Sequence, residues 1–149
     1  RIYAMGNGGS AAQSQHLAAE LVGRFEMDRR PLPCQAFTTD TSVLTSIGND
    51  FSQDEIFVKQ VQAFVTRGDF VVCISTSGNS GNVLKAANEA VDLDALTLGL
   101  TGGDGGELAR LCDMCLHVPS DRTAHVQEGH LAIIHQLCYI VEHCLFDEE

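Results

Sequence analysis

The sequence predicts an α/β fold of the doubly wound type, a mostly parallel five-stranded sheet flanked by helices on both faces. Two observations carry that expectation. Short apolar runs alternate with helix-length segments from end to end, and each run is brief and apolar enough to be buried on both faces, as parallel strands are. Two of these runs lead into turns rich in glycine and serine, at the strand ends where such sheets bind ligands. No repeat, low-complexity tract or linker interrupts the pattern, so residues 1–149 read as one domain.

The first strand is expected at Ile2–Met5. Gly6, Gly8 and Gly9 then allow backbone angles that a Cβ forbids, and Ser10 is placed to cap a helix over Ser10–Phe25. Free N–H groups at that helix start would face a phosphate above the strand. A second strand, Gln35–Thr38, is followed by helices at Val43–Ile47 and Asp54–Thr66. The third strand, Phe70–Ser75, turns through Thr76–Ser80 into a helix over Gly81–Val91. Strand Ala95–Thr101, a short helix Glu107–Leu111, strand Met114–Val118 and a long helix Thr123–Leu145 complete the chain.

Composition narrows the function classes. With 44% hydrophobic residues the chain can fill a core, yet no apolar run is long enough to cross a bilayer and no signal peptide is visible. A formal net charge of −11 repels phosphodiesters and argues against direct nucleic-acid binding through a broad basic face. The six cysteines sit mostly in apolar stretches and are expected to be reduced and buried, in a cytoplasmic protein. Cys112 and Cys115 form one C-x-x-C, but a zinc ribbon needs a second pair.

Three segments carry chemistry. Gly6–Ala11 fits the loose dinucleotide pattern G-x-G-x-x-A; the acidic residue it requires would be Glu26 or Asp28, whereas the second strand-like run begins only near Pro33, which argues against a nicotinamide cofactor. In the helix that follows, His16 and Glu20 stand four residues apart and share a face. The turn Ser75-Thr76-Ser77-Gly78-Asn79-Ser80-Gly81 offers four hydroxyls and glycine-flanked amides at a helix start, a phosphate cradle without the lysine of a nucleotide-triphosphate loop. In the last helix Gln127, Leu131 and His135 form one stripe. His16, Glu20, Gln127 and His135 together could hold a divalent metal through nitrogen and oxygen, with His125, His130 and His143 as competing donors.

Five ordered blocks, GNGGSAAQSQHLAAELVGRF, DTSVLTSIGND, ISTSGNSGNVLKA, LTGGDGG and TAHVQEGHLAIIHQLC, resemble the sugar isomerase (SIS) family and, within it, the phosphoheptose isomerases. The resemblance spans nearly the whole chain. It implies an enzyme interconverting sedoheptulose 7-phosphate and D-glycero-D-manno-heptose 7-phosphate, the entry to heptose for lipopolysaccharide, in a homotetramer with active sites between subunits and one zinc per subunit. Carried over by motif position, His16, Glu20, Gln127 and His135 would be the zinc ligands, and Glu20 and His135 also the acid–base pair. Ser75, Thr76, Ser77 and Ser80 would hold the phosphate, with Ser10 and Gly8 nearby. Arg24, one helical turn beyond Glu20, matches a substrate-contacting arginine, and Asn7, Asn49, Asp50 and Gln127 match positions that approach the sugar.

Two departures accompany the resemblance. Ala124 stands three residues before Gln127, where the family often has an aspartate, and similar proteins carry a helical segment before the first strand that helps to build the tetramer. An alternative within the same family is a tetrameric scaffold that binds the replication initiator DnaA. Its carboxyl pattern resembles Leu137-Cys138-Tyr139-Ile140 and Leu145-Phe146, but it has no histidine where this chain has His135. A sugar-phosphate-sensing regulator would keep the serine cradle and bind without turnover.

Overall fold

In the computed structural model, which describes residues 1–146, five parallel strands form one sheet in the order β2-β1-β3-β4-β5. The strands are β1 (Ile2–Gly6), β2 (Cys34–Ala36), β3 (Phe70–Ile74), β4 (Leu96–Gly102) and β5 (Met114–Val118). All four pairings are parallel, with Ile2 opposite both Cys34 and Phe70, and Phe70 opposite Leu96. The helices are α1 (Gly9–Val22), α2 (Thr41–Asp50), α3 (Val58–Phe64), α4 (Gly81–Asp92), α5 (Leu108–Leu111) and α6 (Thr123–Phe146).

Alternation along the strands builds a core on each face. Ala4, Val72, Ile74, Leu98 and Leu100 meet Leu17 and Leu21 of α1 and Ile134 and Cys138 of α6. Their neighbours Tyr3, Met5, Val71 and Cys73 point the other way, onto Val61 of α3, Val83, Ala86, Ala87 and Ala90 of α4 and Leu108 of α5. Both faces are therefore covered, as a parallel sheet requires.

The expected elements are present, with four corrections. Helix α1 starts at Gly9, with Gly8 in the cap position, so Ser10 lies inside the first turn, buried, and does not cap it. The same helix stops at Val22 instead of Phe25, because Glu142 takes the Phe25 N–H and the Arg29 guanidinium takes the Glu20 and Leu21 carbonyls, the groups that another helical turn would pair. The single helix expected over Asp54–Thr66 is a 3₁₀ turn, Gln53–Glu55, followed by α3. Strand β5 is an edge, and Met114 and Leu116 are exposed there instead of buried on both faces. Among the described residues no helix is long and apolar enough to cross a membrane.

All six cysteines are free, but burial divides them. Cys73, Cys112 and Cys138 are buried, Cys34 and Cys115 are half-buried, and Cys144 is exposed, which corrects the expectation for those three. Burial pushes the Cys34 thiol up to about 12 and that of Cys138 to about 11, so neither is a thiolate at neutral pH. Cys112 and Cys115 flank the start of β5 as structural residues, their sulfurs directed toward Gly99 of the neighbouring strand.

Candidate active site

Strand order places the crevice. Connections leave β1 toward β2 and β3 toward β4, so the chain switches direction between β1 and β3, and the loops after those two strands face each other. They are the Asn7–Gly9 turn and the Ser75–Ser80 turn. Asn7 and Asn82 join them through a reciprocal amide pair, the Asn7 Nδ2 donating to Asn82 Oδ1 at 2.8 Å and the Asn82 Nδ2 to Asn7 Oδ1 at 2.9 Å. Asn82 is buried and went unnoticed in the sequence; its signal is its position in the first turn of a helix that opens on a serine-rich loop.

The Ser75–Ser80 turn has the form of an anion cradle. Ser75 is buried at the end of β3, and its Oγ lies 2.9 Å from the Ser80 Oγ and 3.5 Å from the Ser77 Oγ. Ser80 occupies the cap position of α4, yet its hydroxyl turns to Ser75 and no side chain caps the amides of the first turn. Those amides remain directed at whatever sits above β3. By contrast, the start of α1 is partly closed, since the Ser10 N–H donates to the Asn7 carbonyl and that of Ala11 to the Gly8 carbonyl. The expectation of open amides at both helix starts is thus met best at α4.

A second glycine loop holds the cradle in shape. Gly78 has φ +66°, and its Cα lies so close to the Gly105 carbonyl that a Cβ would collide with it. The Leu108 N–H donates to the Gly78 carbonyl and the Glu107 N–H to Asn79 Oδ1, so Asn79 serves the turn, not a ligand. Thr76 and Ser77 line a crevice with Gly102, Gly103, Asp104, Ser120 and Asp121 at the carboxyl ends of β3, β4 and β5.

Helices α1 and α6 bring the third group together. The His16 Nε2 lies 3.1 Å from Glu20 Oε1 on its own helix and 3.0 Å from the His135 Nε2 across the helix pair. One ligand atom from each of the three lies within 4.8 Å of the others, and all three side chains are half-buried. Around a tetrahedral ion with bonds of about 2.0–2.1 Å, donor atoms stand about 3.3 Å apart, so this nitrogen–oxygen–nitrogen set fits a divalent metal after a small spreading.

The remaining expected residues divide. Gln127 lies two turns before His135 on α6, and its carboxamide covers Gly9, where a Cβ would push it aside. The Gln127 main-chain carbonyl accepts from the Gln13 Nε2 at 2.6 Å, which ties α6 to the start of α1. Arg24 is exposed in the loop after α1, not one turn further along the helix as the motif implied. Asn49 and Asp50 are exposed at the end of α2, where the Asn49 Nδ2 donates to Asp50 Oδ1. Of the competing histidines, His130 is a core residue whose Nε2 meets the Thr101 carbonyl at 2.8 Å, and burial lowers its pKa. His125 is exposed and His143 packs at a tilt against Tyr139, both outside the three-residue cluster.

An anion cradle at the switch point of a parallel sheet, together with an imidazole–carboxylate–imidazole cluster across α1 and α6, suits a binder of phosphate esters equipped for proton transfer. The comparisons agree with that class. A family model described as SIS domain matches residues 1–102. The phosphoheptose isomerase of Nitratidesulfovibrio vulgaris is 58% identical over 142 residues, covering 95% of this chain and 68% of its own. Solved structures of phosphoheptose isomerases from Neisseria gonorrhoeae and Francisella tularensis superpose with TM-scores of 0.90 and 0.91 at 48% and 42% identity, covering 95% of this chain and 76% and 75% of theirs. The chain belongs to the SIS domain family and, within it, to the phosphoheptose isomerases.

Proposed function

We propose that this protein is an aldose–ketose isomerase that interconverts sedoheptulose 7-phosphate and D-glycero-D-manno-heptose 7-phosphate through an enediol. The observation that carries the chemistry is the His16–Glu20–His135 cluster, with its carboxylate and second imidazole both in contact with the first. The substrate class follows the relatives, which are named for heptose phosphate.

Each part of the site has a task. Ser75, Thr76, Ser77 and Ser80 hold the phosphate at the start of α4, with Ser10 and Gly8 across the crevice, and Asn7 and Gln127 border the sugar. Asn49, Asp50 and Arg24 are exposed at loop and helix ends and approach the sugar from the rim. Glu20 takes a proton from C1 of the ketose, exchanges with solvent and delivers a proton to C2, while His135 carries the hydroxyl proton from O1 to O2. The C1–H and C2 carbonyl bonds are thereby exchanged for a C2–H bond and a C1 carbonyl, with no net loss of protons or electrons.

Zinc is the metal we assign to His16, Glu20 and His135, with Gln127 as fourth donor; Glu20 and His135 transfer protons only when released from coordination, since a ligated carboxylate is a weak base and a ligated imidazole nitrogen cannot take a proton. When bound, zinc supplies Lewis-acid stabilisation of the negative charge that develops on the sugar oxygens. Protein prepared without chelator is expected to carry about one zinc per chain, measured by elemental analysis; metal-free protein with full activity contradicts the assignment. A homotetramer is part of the same reading, supported by the exposed apolar residues Met114, Leu116, Tyr139, Ile140 and Leu145 along β5 and α6. We place the reaction in the cytoplasm, at the entry to heptose for lipopolysaccharide.

The direct assay follows aldose formation from sedoheptulose 7-phosphate, and no product from zinc-loaded protein rejects the reading. In that assay Ser80→Ala is expected to raise KM about tenfold, the loss of one hydrogen bond to a charged group, with kcat little changed. An unaltered KM would confine Ser80 to its contact with Ser75.

A further inference from the structure

We infer that Phe25 is a positioning residue for His135, pressed onto the imidazole by a loop that the buried Glu142–Arg29 pair holds in place; this rests on the role given to His135 above. The ring of Phe25 stacks on that of His135 with centroids 5.7 Å apart and planes inclined by 27°. The His16 ring contacts the same imidazole, with centroids 5.1 Å apart. His135 is therefore confined by two aromatic neighbours, one of which is a hydrogen-bonding partner and the other purely apolar.

What places Phe25 there is a carboxylate two turns further along α6. Glu142 Oε1 accepts from the Phe25 N–H at 2.9 Å, and its Oε2 accepts from the N–H groups of Glu26 and Met27, both at 2.9 Å. The Arg29 Nε donates to Glu142 Oε1 at 2.8 Å, and the two side chains are 2% and 1% exposed. The same guanidinium reaches α1, donating from Nη2 to the Glu20 carbonyl at 2.9 Å and from Nη1 to the Leu21 carbonyl at 2.8 Å. One buried ion pair thus grips the backbone of Glu20 on α1 and the loop that carries Phe25, from a base on the helix that carries His135.

The consequence is specific to the imidazole. With these two neighbours around it, the ring cannot swing toward the side that Phe25 fills, and its Nε2 stays directed at His16, which in turn contacts Glu20. Removing the aromatic ring frees that rotation while the clamp, which uses the Phe25 main chain, stays intact.

The test uses the full chain with Phe25→Leu, which keeps an apolar side chain on the core, and Phe25→Tyr, which keeps the ring. In the metal-free protein, NMR of the His135 ring protons reads the stacking directly. For Phe25→Leu those resonances are expected to move downfield as the shielding ring is lost, and for Phe25→Tyr to stay near the wild-type position. In the zinc-loaded enzyme Phe25→Leu is expected to lower kcat about ten- to a hundredfold, the scale of a small misplacement of a reacting group, with KM within about twofold and kcat restored by Phe25→Tyr. Unmoved His135 resonances, or an unchanged kcat in Phe25→Leu when His135→Gln is inactive, overturn the inference. Full activity of His135→Gln rejects instead the role of His135, and the NMR shift then still reports whether the stack exists.

Discussion

Glu20→Gln and His135→Gln are each expected to reduce turnover of sedoheptulose 7-phosphate to background, with sugar-phosphate binding largely retained. Each group handles a different proton of the same exchange, and a positioned proton-transfer group is worth about 100- to 10,000-fold. Binding persists because the phosphate is held by the Ser75–Ser80 turn between β3 and α4, whereas Glu20 and His135 lie on α1 and α6. The two losses should not add, since either variant already breaks the circuit. Because Glu20 and His135 also serve as metal donors in this account, zinc content is measured beside kcat. Glu20→Gln keeps an oxygen donor but no base, so an inactive variant that retains its zinc assigns the loss to proton transfer. Turnover retained by either variant removes that residue from the mechanism.

Glu142→Gln is expected to destabilise the fold by about 3–5 kcal/mol, the usual cost of leaving one member of a buried ion pair alone. An amide cannot replace this carboxylate. Oε1 receives the Phe25 N–H and the Arg29 Nε, and Oε2 receives the Glu26 and Met27 N–H groups, so either orientation of glutamine sets an NH₂ against two donors. Denaturant unfolding at neutral pH reads the loss. Its pH dependence has a definite sign: burial raises the Glu142 pKa, but three backbone amides and Arg29 outweigh it and bring it from an ordinary 4.5 to about 2. The contribution is complete above about pH 4.5 and is lost as pH falls toward about 2. The gap between wild type and Glu142→Gln should therefore narrow across that range, and a gap that stays constant from neutral pH to pH 3 contradicts the role given to the clamp.

The sheet was legible because each strand is a short apolar run and glycines mark the turns after β1 and β3. Gly78, for instance, is required both by its φ of +66° and by the Gly105 carbonyl against it. The pairing of His16 with Glu20 was legible from helical spacing, and the contact of His16 with His135 through the family resemblance, since 119 residues separate them. What stayed hidden was set from afar. The end of α1 depends on Glu142 and Arg29, whose bonds to the following loop and to the last carbonyls of the helix replace the next turn. A single carboxylate inside the apolar run Cys138–Phe146 was the available sign that a buried cation had to be near. Asn82 was hidden for a similar reason, because its partner Asn7 lies 75 positions away. Ser10 misled because a serine after glycines usually caps, whereas here Gly8 takes that position and Ser10 turns inward.

The measurement that bears most directly on the central claim is NMR of the zinc-loaded protein with sedoheptulose 7-phosphate in deuterium oxide. Proton exchange through an enediol predicts an aldose that carries deuterium at C2, and recovered ketose that gains deuterium at C1. Unlabelled aldose formed at a normal rate would mean that the transferred hydrogen never exchanges with solvent, either moving directly between the carbons or held on Glu20 throughout. No aldose at all, from intact protein with its metal in place, would contradict the isomerase itself.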